Sequence, residues 1–391
     1  MGKIMSKTLP QGKKRFVPGL CVVMLCFCLA FMATGCNNNE NDVDQETKQN
    51  EQASTSEQSG STGEVSESDM RTFVDSLGRT VELPAQIDAI APSGHTAQQV
   101  LLTIAPEKMI GLAQELTDYQ IAVFGDQFTD APVFGTAFGA KGDMNREAVA
   151  AAGPQVIIDT GDAMDGLEED LDNLQEQLGI PVVFVETKLE DYGSAYKKLG
   201  ELLGVEDRGN ELSEYTQNAY DEVQAMMDSI PETDRVNIAY LLGDGGLHAI
   251  AKDSFQGQVI DMVANNVVVI EDINPSGMGN EIDLEQLALW DPELILFQAD
   301  SIYSSVGNDA AWSSMTAIAN DNYYEVPNDP WCWLNNPPTV NQVMGMQWLP
   351  RLLYPDRFDT TIEDVTKSYF KTLYNYELSD SELSDLISHA Q

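Results

Sequence analysis

The sequence predicts an α/β protein with two lobes, one on each side of a long helical stretch. Three observations carry that expectation. Short apolar runs alternate with amphipathic stretches both before and after residues 189–230, the pattern of parallel sheets covered on both faces. Residues 189–230 themselves read as helix almost throughout. Apolar side chains recur there at three- and four-residue steps: Ala195, Leu199, Leu202 and Leu203, then Leu212, Tyr215, Ala219, Val223 and Met226. Finally, MNREAVAAAGPQVII (144–158) aligns without a gap with IDLEQLALWDPELIL (282–296), at a constant offset of 138.

The chain begins with an address. Lys3, Lys7, Lys13, Lys14 and Arg15 form a basic region, and 17–32 is a largely apolar stretch, short for a membrane span. Ala33-Thr34-Gly35-Cys36 then places small residues before a cysteine. This resembles a bacterial lipoprotein signal. It implies that residues 1–35 are a signal peptide, with Met1 or Met5 as the start, and that cleavage leaves Cys36 carrying lipid. Cys21, Cys26 and Cys28 fall in the discarded part. Cys332 is then the one free thiol, so no intramolecular disulfide is expected. Residues 36–68 hold few apolar side chains and are expected to be a disordered acidic tether, with a reach of about 30 Å.

Order is expected from residue 69. Around Ser76-Leu77-Gly78-Arg79, the runs 72–75 and 80–83 form a hairpin. Strands are expected at 87–91, 109–112, 132–136, 155–159 and 181–185, with helices at 96–104, 145–152 and 167–178. Gly204 should end the first helix of the 189–230 stretch. The second, 206–230, would be about 37 Å long and end before Pro231. Beyond it come strands at 235–242, 248–251, 267–270, 293–297 and 323–326. Helices are expected at 256–263, 283–289, 340–353 and 361–374, with a short one from Ser381.

A net charge of −42 becomes more negative still, near −47, once five basic residues leave with the signal. Nucleic acid is therefore excluded as a partner, and anionic lipid is repelled, so a covalent anchor is the sensible attachment. The mature chain has no Gly-x-Ser-x-Gly elbow, P-loop, His-Glu-x-x-His helix or Cys-x-x-Cys pair, which argues against an enzyme. The three histidines are too dispersed in sequence for a bare zinc or manganese site.

From about Thr72 onward the chain resembles the substrate-binding proteins of ABC importers for iron–siderophores, haem and vitamin B12. The resemblance rests on FVDSLGRTVELPAQIDAIAPSG, MNREAVAAAGPQVIIDTG, LGELLGVEDRGNEL, SFQGQVIDMVANN and IDLEQLALWDPELIL. It implies two doubly wound α/β lobes, 69–205 and 231–391, joined by a single long rigid helix at 206–230, with the ligand in the cleft between them. It also implies a monomer on the outer face of the cytoplasmic membrane, serving a permease dimer and its cytoplasmic ATPase. Such a protein has no cofactor of its own; its cargo contains chelated iron or cobalt. Glu147 and Glu285, in the first turns of the two repeated helices, take on the role of docking to permease arginines. The segment 330–356 departs from the vitamin B12-binding pattern, so the cargo stays open. A cell-surface enzyme and a sensory or adhesive domain on the same fold are the alternatives.

Cleft residues are expected from loops at the carboxyl ends of strands. The candidates are Ser93, His95, Phe138 and Lys141 from the first lobe, and Lys252, Phe255, Met278, Trp331 and Trp333 from the second. His95 is a candidate axial ligand to haem iron or cobalt. Trp331 and Trp333, two residues apart, would share one face of an extended segment, either lining the cleft for a flat macrocycle or lying in the core. Lys141, Arg146 and Lys252 are the cations near the cleft for an anionic chelate.

Overall fold

Phe73, Val81 and Leu83 are buried between exposed neighbours, and this alternation closes β1 (Met70–Val74) and β2 (Thr80–Pro84) into an antiparallel hairpin. The computed structural model describes residues 70–139, 142–274 and 277–391, all within one compact unit spanning Gly63–Gln391. The expected signal, lipidation site Cys36, tether and cleft residue Lys141 lie outside the described residues.

Along the first lobe follow β3 (Ile90–Pro92), α1 (His95–Ile104), α2 (Asp118–Phe124), α3 (Arg146–Ala152), β4 (Val156–Gly161), α4 (Leu167–Leu178) and β5 (Val182–Glu186). The three strands pair in parallel in the order β3-β4-β5. Alternate residues serve two cores. Ile90, Val156, Ile158, Val183 and Val185 share one cluster with α1, whereas Ala91, Ile157, Val182 and Phe184 share another with α3 and α4. Hence the strands read as continuous apolar runs. Two expected strands are single bridges only, Ile90 to Met109 and Leu112 to Val133. Pro132 has no N–H to extend a ladder, and Gly111 leaves its side-chain space to the Phe134 ring. Helix α2 was absent from the sequence reading; a capping box between Thr117 and Gln120 starts it.

The helical stretch resolves into α5 (Tyr192–Leu203) and α6 (Glu206–Asp228), which is about 35 Å long. Gly204 ends α5 in the left-handed region at φ 66°. The chain then folds back so closely that a Cβ on Gly209 would sit 2.7 Å from the Tyr196 carbonyl oxygen. Gly200 and Gly209 thus set the α5–α6 distance. On α6, Leu212, Thr216, Ala219, Val223 and Met227 form the buried stripe.

The second lobe contains β6 (Asn237–Leu242), β7 (His248–Ala249), α7 (Gln258–Val263), β8 (Asn265–Asn266), β9 (Asn280–Glu281), α8 (Leu284–Trp290) and β10 (Leu294–Phe297). It continues with α9 (Tyr303–Val306), α10 (Thr316–Ala319), β11 (Tyr323–Glu325), α11 (Gln342–Leu353), α12 (Ile362–Tyr374) and α13 (Asp380–Leu386). Its sheet order is β11-β10-β6-β7-β9, with β8 beside the start of β6. β10 runs parallel to β6 and β11; β7 and β9 are antiparallel. The strand expected at 267–270 is replaced by β8. The Asn266 side chain accepts from Val268 N at 3.1 Å and turns the chain there.

The repeat is structural. α3 and α8 each have seven residues, begin at 146 and 284, and lead into strands that begin at 156 and 294. Asn145 and Asp283 cap them, accepting from Ala148 N at 3.0 Å and Gln286 N at 2.7 Å. Both end in a left-handed residue, Gly153 and Asp291.

The C-terminal helices α11 and α12 pack on α6, and α12 also touches α1. Arg208, at the start of α6, donates from Nη2 to Thr103 O at 2.8 Å and to Leu373 O at 3.0 Å. It closes the carbonyl ends of α1 and α12 with one guanidinium. A single apolar cluster therefore runs through both lobes, from Ile90 and Leu199 through Val223 to Ile238, Trp348 and Phe370.

Candidate functional site: the cleft between the lobes

The segment 326–341 lies between the lobes. Gln120 of α2 donates to Pro330 O at 2.6 Å, and the Tyr192 hydroxyl of α5 donates to Thr339 Oγ1 at 3.4 Å. From the other side, the Tyr240 hydroxyl of β6 donates to Asn335 Oδ1 at 3.1 Å, as does the Cys332 thiol. Burial pushes the Cys332 thiol up and keeps it protonated. Here the structure decides between the two places the sequence left open for Trp331 and Trp333, and removes both from the candidate ligand contacts. Trp331 and Trp333 are only 5% and 1% exposed. Trp331 packs against Phe124 and Tyr374, while Trp333 packs edge-on against Trp348. Both are core, because this segment is covered from two lobes at once. A two-residue periodicity cannot register a cover that comes from elsewhere in the chain.

The carboxyl ends of the first-lobe strands carry Ser93 and His95 after β3, Asp162 after β4, and Glu186, Lys188 and Glu190 at β5. Ser93 is buried, and its hydroxyl hydrogen-bonds the Asp159 carboxylate, which removes it from direct ligand contact in this conformation. Burial raises Asp159 to about 6. His95 is the first residue of α1 and half-buried; Phe138 is half-buried against the second core of that lobe. Burial also raises the Asp162 carboxyl, with Lys188 opposing and Glu186 and Glu190 adding to the shift. Lys188 is held by Glu186 at 2.9 Å, and that hydrogen bond lowers the glutamate.

From the second lobe, Lys252 is exposed, Phe255 is 46% exposed and Met278 is 65% exposed. Phe255 opens onto a groove of about 450 Å³ built from both lobes and α6. Glu190 comes from the first lobe, Tyr220 and Gln224 from α6, and Asp253, Asp261 and Met262 from the second. Among the described residues expected as contacts, only Phe255 lines it. Sequence reading did not single out Tyr220, because the groove it lines is assembled from distant parts of the chain. Among the described residues, no group of three or more His, Cys, Asp or Glu is placed to hold a metal ion. Glu147 and Glu285 are both exposed, each in the first turn of its capped helix.

The sequence model of the family described as periplasmic binding protein matches residues 122–330, more than half of the chain. The chain belongs to the periplasmic binding protein family. It is a substrate-binding component of an ABC transporter and works outside the cytoplasm. This periplasmic binding protein is similar to an ABC transporter solute-binding protein from Sulfurospirillum deleyianum, at 28% identity and a TM-score of 0.74. The alignment covers 81% of this chain and 99% of that one. A periplasmic solute-binding protein from Veillonella parvula shares the fold at 21% identity and a TM-score of 0.68, covering 82% and 98% of the two chains. So does a molybdate periplasmic binding protein from Haemophilus influenzae, at 18% identity and 0.61, covering 79% and 99%. A search of curated proteins finds no match. Among the described residues no helix is long and apolar enough to cross a membrane.

Proposed function

We propose that this periplasmic binding protein captures a metal chelate, such as a ferric siderophore, haem or a corrinoid, between its lobes and delivers it to a membrane permease. One observation carries the reading. Two equivalent capped helices, α3 and α8, present Glu147 and Glu285 at matching places on two lobes that flank a cleft. Phe138, Lys252, Phe255 and Met278 are the ligand-contacting residues in this reading, with Lys141 as a further candidate. His95 is the candidate axial ligand for an iron or cobalt cargo. Ser93 acts through Asp159 rather than by direct contact. Lipid on Cys36 holds a monomer at the outer face of the cytoplasmic membrane. The protein binds without catalysing.

Isothermal titration of the protein against cobalamin, haem and ferric siderophores tests the reading. A saturable one-to-one isotherm with one of them is the expected result. Binding of molybdate or tungstate alone would overturn the chelate assignment, and silence across the whole panel would overturn solute capture by this cleft. Mass analysis of the lipidated N-terminus tests the anchor; an unmodified Cys36 would refute it.

A further inference from the structure

Resting on that reading, we infer that the cleft selects a positively charged chelate and seats its cationic, apolar-bodied end in the groove beside Tyr220 and Phe255. The groove is a cavity of about 450 Å³ shared by both lobes and α6, so its occupant touches both lobes and the connector. Phe255 turns a 46% exposed ring into it, whereas most of the large aromatic side chains are buried. Tyr220 and Met262 add a half-buried aromatic face and a thioether. Aromatic faces attract cations, and the apolar surface favours a ligand that is more than a bare ion.

The sign of the charge follows from the polar lining. Glu190, Asp253 and Asp261 line the groove, and among the described residues no lysine, arginine or histidine does. Asp261 accepts the Asp253 N–H at 2.8 Å through Oδ2, and its carboxylate also takes a side-chain hydrogen bond from Asn266. The described cations nearby do not reverse the field. Lys188 is held by Glu186, and at Asp261 the charge of the exposed Lys252 is set against that of Asp253. A polyanionic catecholate chelate would enter against this field; an ammonium-bearing hydroxamate chelate would enter with it.

The full-length protein in detergent, titrated calorimetrically with two ferric chelates of opposite charge, tests the inference. Ferrioxamine B, a trishydroxamate bearing an ammonium group, should bind at least about tenfold more tightly than the anionic ferric tris-catecholate enterobactin. The gap should narrow with added salt. Glu190→Gln combined with Asp253→Asn should weaken ferrioxamine B about tenfold or more and leave the thermal midpoint in place. Asparagine suits the left-handed backbone at 253, where φ is 62°. Phe255→Ala should weaken it at every salt concentration. A catecholate that binds as tightly, or a double variant with unchanged affinity, would overturn the inference while chelate capture stands. If neither chelate binds and a neutral corrinoid does, the inference falls and the functional reading survives. If no chelate binds at all, both fall.

Discussion

Replacing Trp331 with alanine measures how firmly the two lobes are joined. Its side chain is 5% exposed, with ring centroids 5.2 Å from Phe124 of the first lobe and 6.1 Å from Tyr374 of α12. Truncating a buried tryptophan costs about 3–5 kcal/mol, through lost burial and the cavity left behind. The compact unit holds roughly 330 residues. At about 2.1 cal/mol/K per residue, its unfolding entropy is about 0.7 kcal/mol/K, so the melting midpoint should fall by about 4–7 °C. Since one apolar cluster runs through both lobes, unfolding should stay a single transition when followed by calorimetry and by far-ultraviolet circular dichroism. The variant should shift that transition rather than split it. A loss under about 1 kcal/mol would refute the interlobe packing of Trp331. Two separate transitions in the parent protein would refute the shared core.

Further outcomes follow from other contacts. Glu147→Ala with Glu285→Ala should abolish uptake by cells while calorimetric ligand affinity stays unchanged; a loss of affinity would place these residues on the wrong surface. Asp159 is ordinarily ionised above about pH 4 but is held protonated up to about pH 6 in the fold, so its ionisation opposes folding. Stability should therefore fall by about 2–3 kcal/mol between about pH 4 and 6, and Asp159→Asn, which still accepts from Ser93, should remove that dependence in urea titrations. Arg208→Ala strips a charged donor from Thr103 O and Leu373 O and should cost about 2–4 kcal/mol, with lysine restoring little because it lacks the fork. Asn145→Ala should cost about 0.5–2 kcal/mol by removing the α3 cap, read by the same urea titrations.

Local patterns carried much of the fold. The hairpin at β1–β2, the break at Gly204 and the offset of 138 were all legible, because each rests on neighbours in sequence: alternation, a left-handed cap, a capped helix leading into a strand. The short strands expected at 109–112, 132–136 and 267–270 were not, because their apolar runs lack the partners that would extend a ladder. Loop position alone singled out Phe255 as a candidate, and the structure leaves it exposed on the groove. That rule could not choose between cleft and core for Trp331 and Trp333, which α2 and α12 cover at Trp331 and α11 covers at Trp333.

The sequence by itself determined two α/β lobes, the helix between them and the two equivalent capped helices that carry Glu147 and Glu285, since periodicity and capping act within a dozen residues. Only the tertiary structure decided what the connector and the cleft are made of. Helix α6 is not a free strut: α5, α11 and α12 pack along it, and Arg208 ties its start to both α1 and α12. The groove likewise needs Glu190, Tyr220 and Asp253 from three separate regions of the chain. Its charge and shape arise from residues that become neighbours only when the lobes close on one shared core.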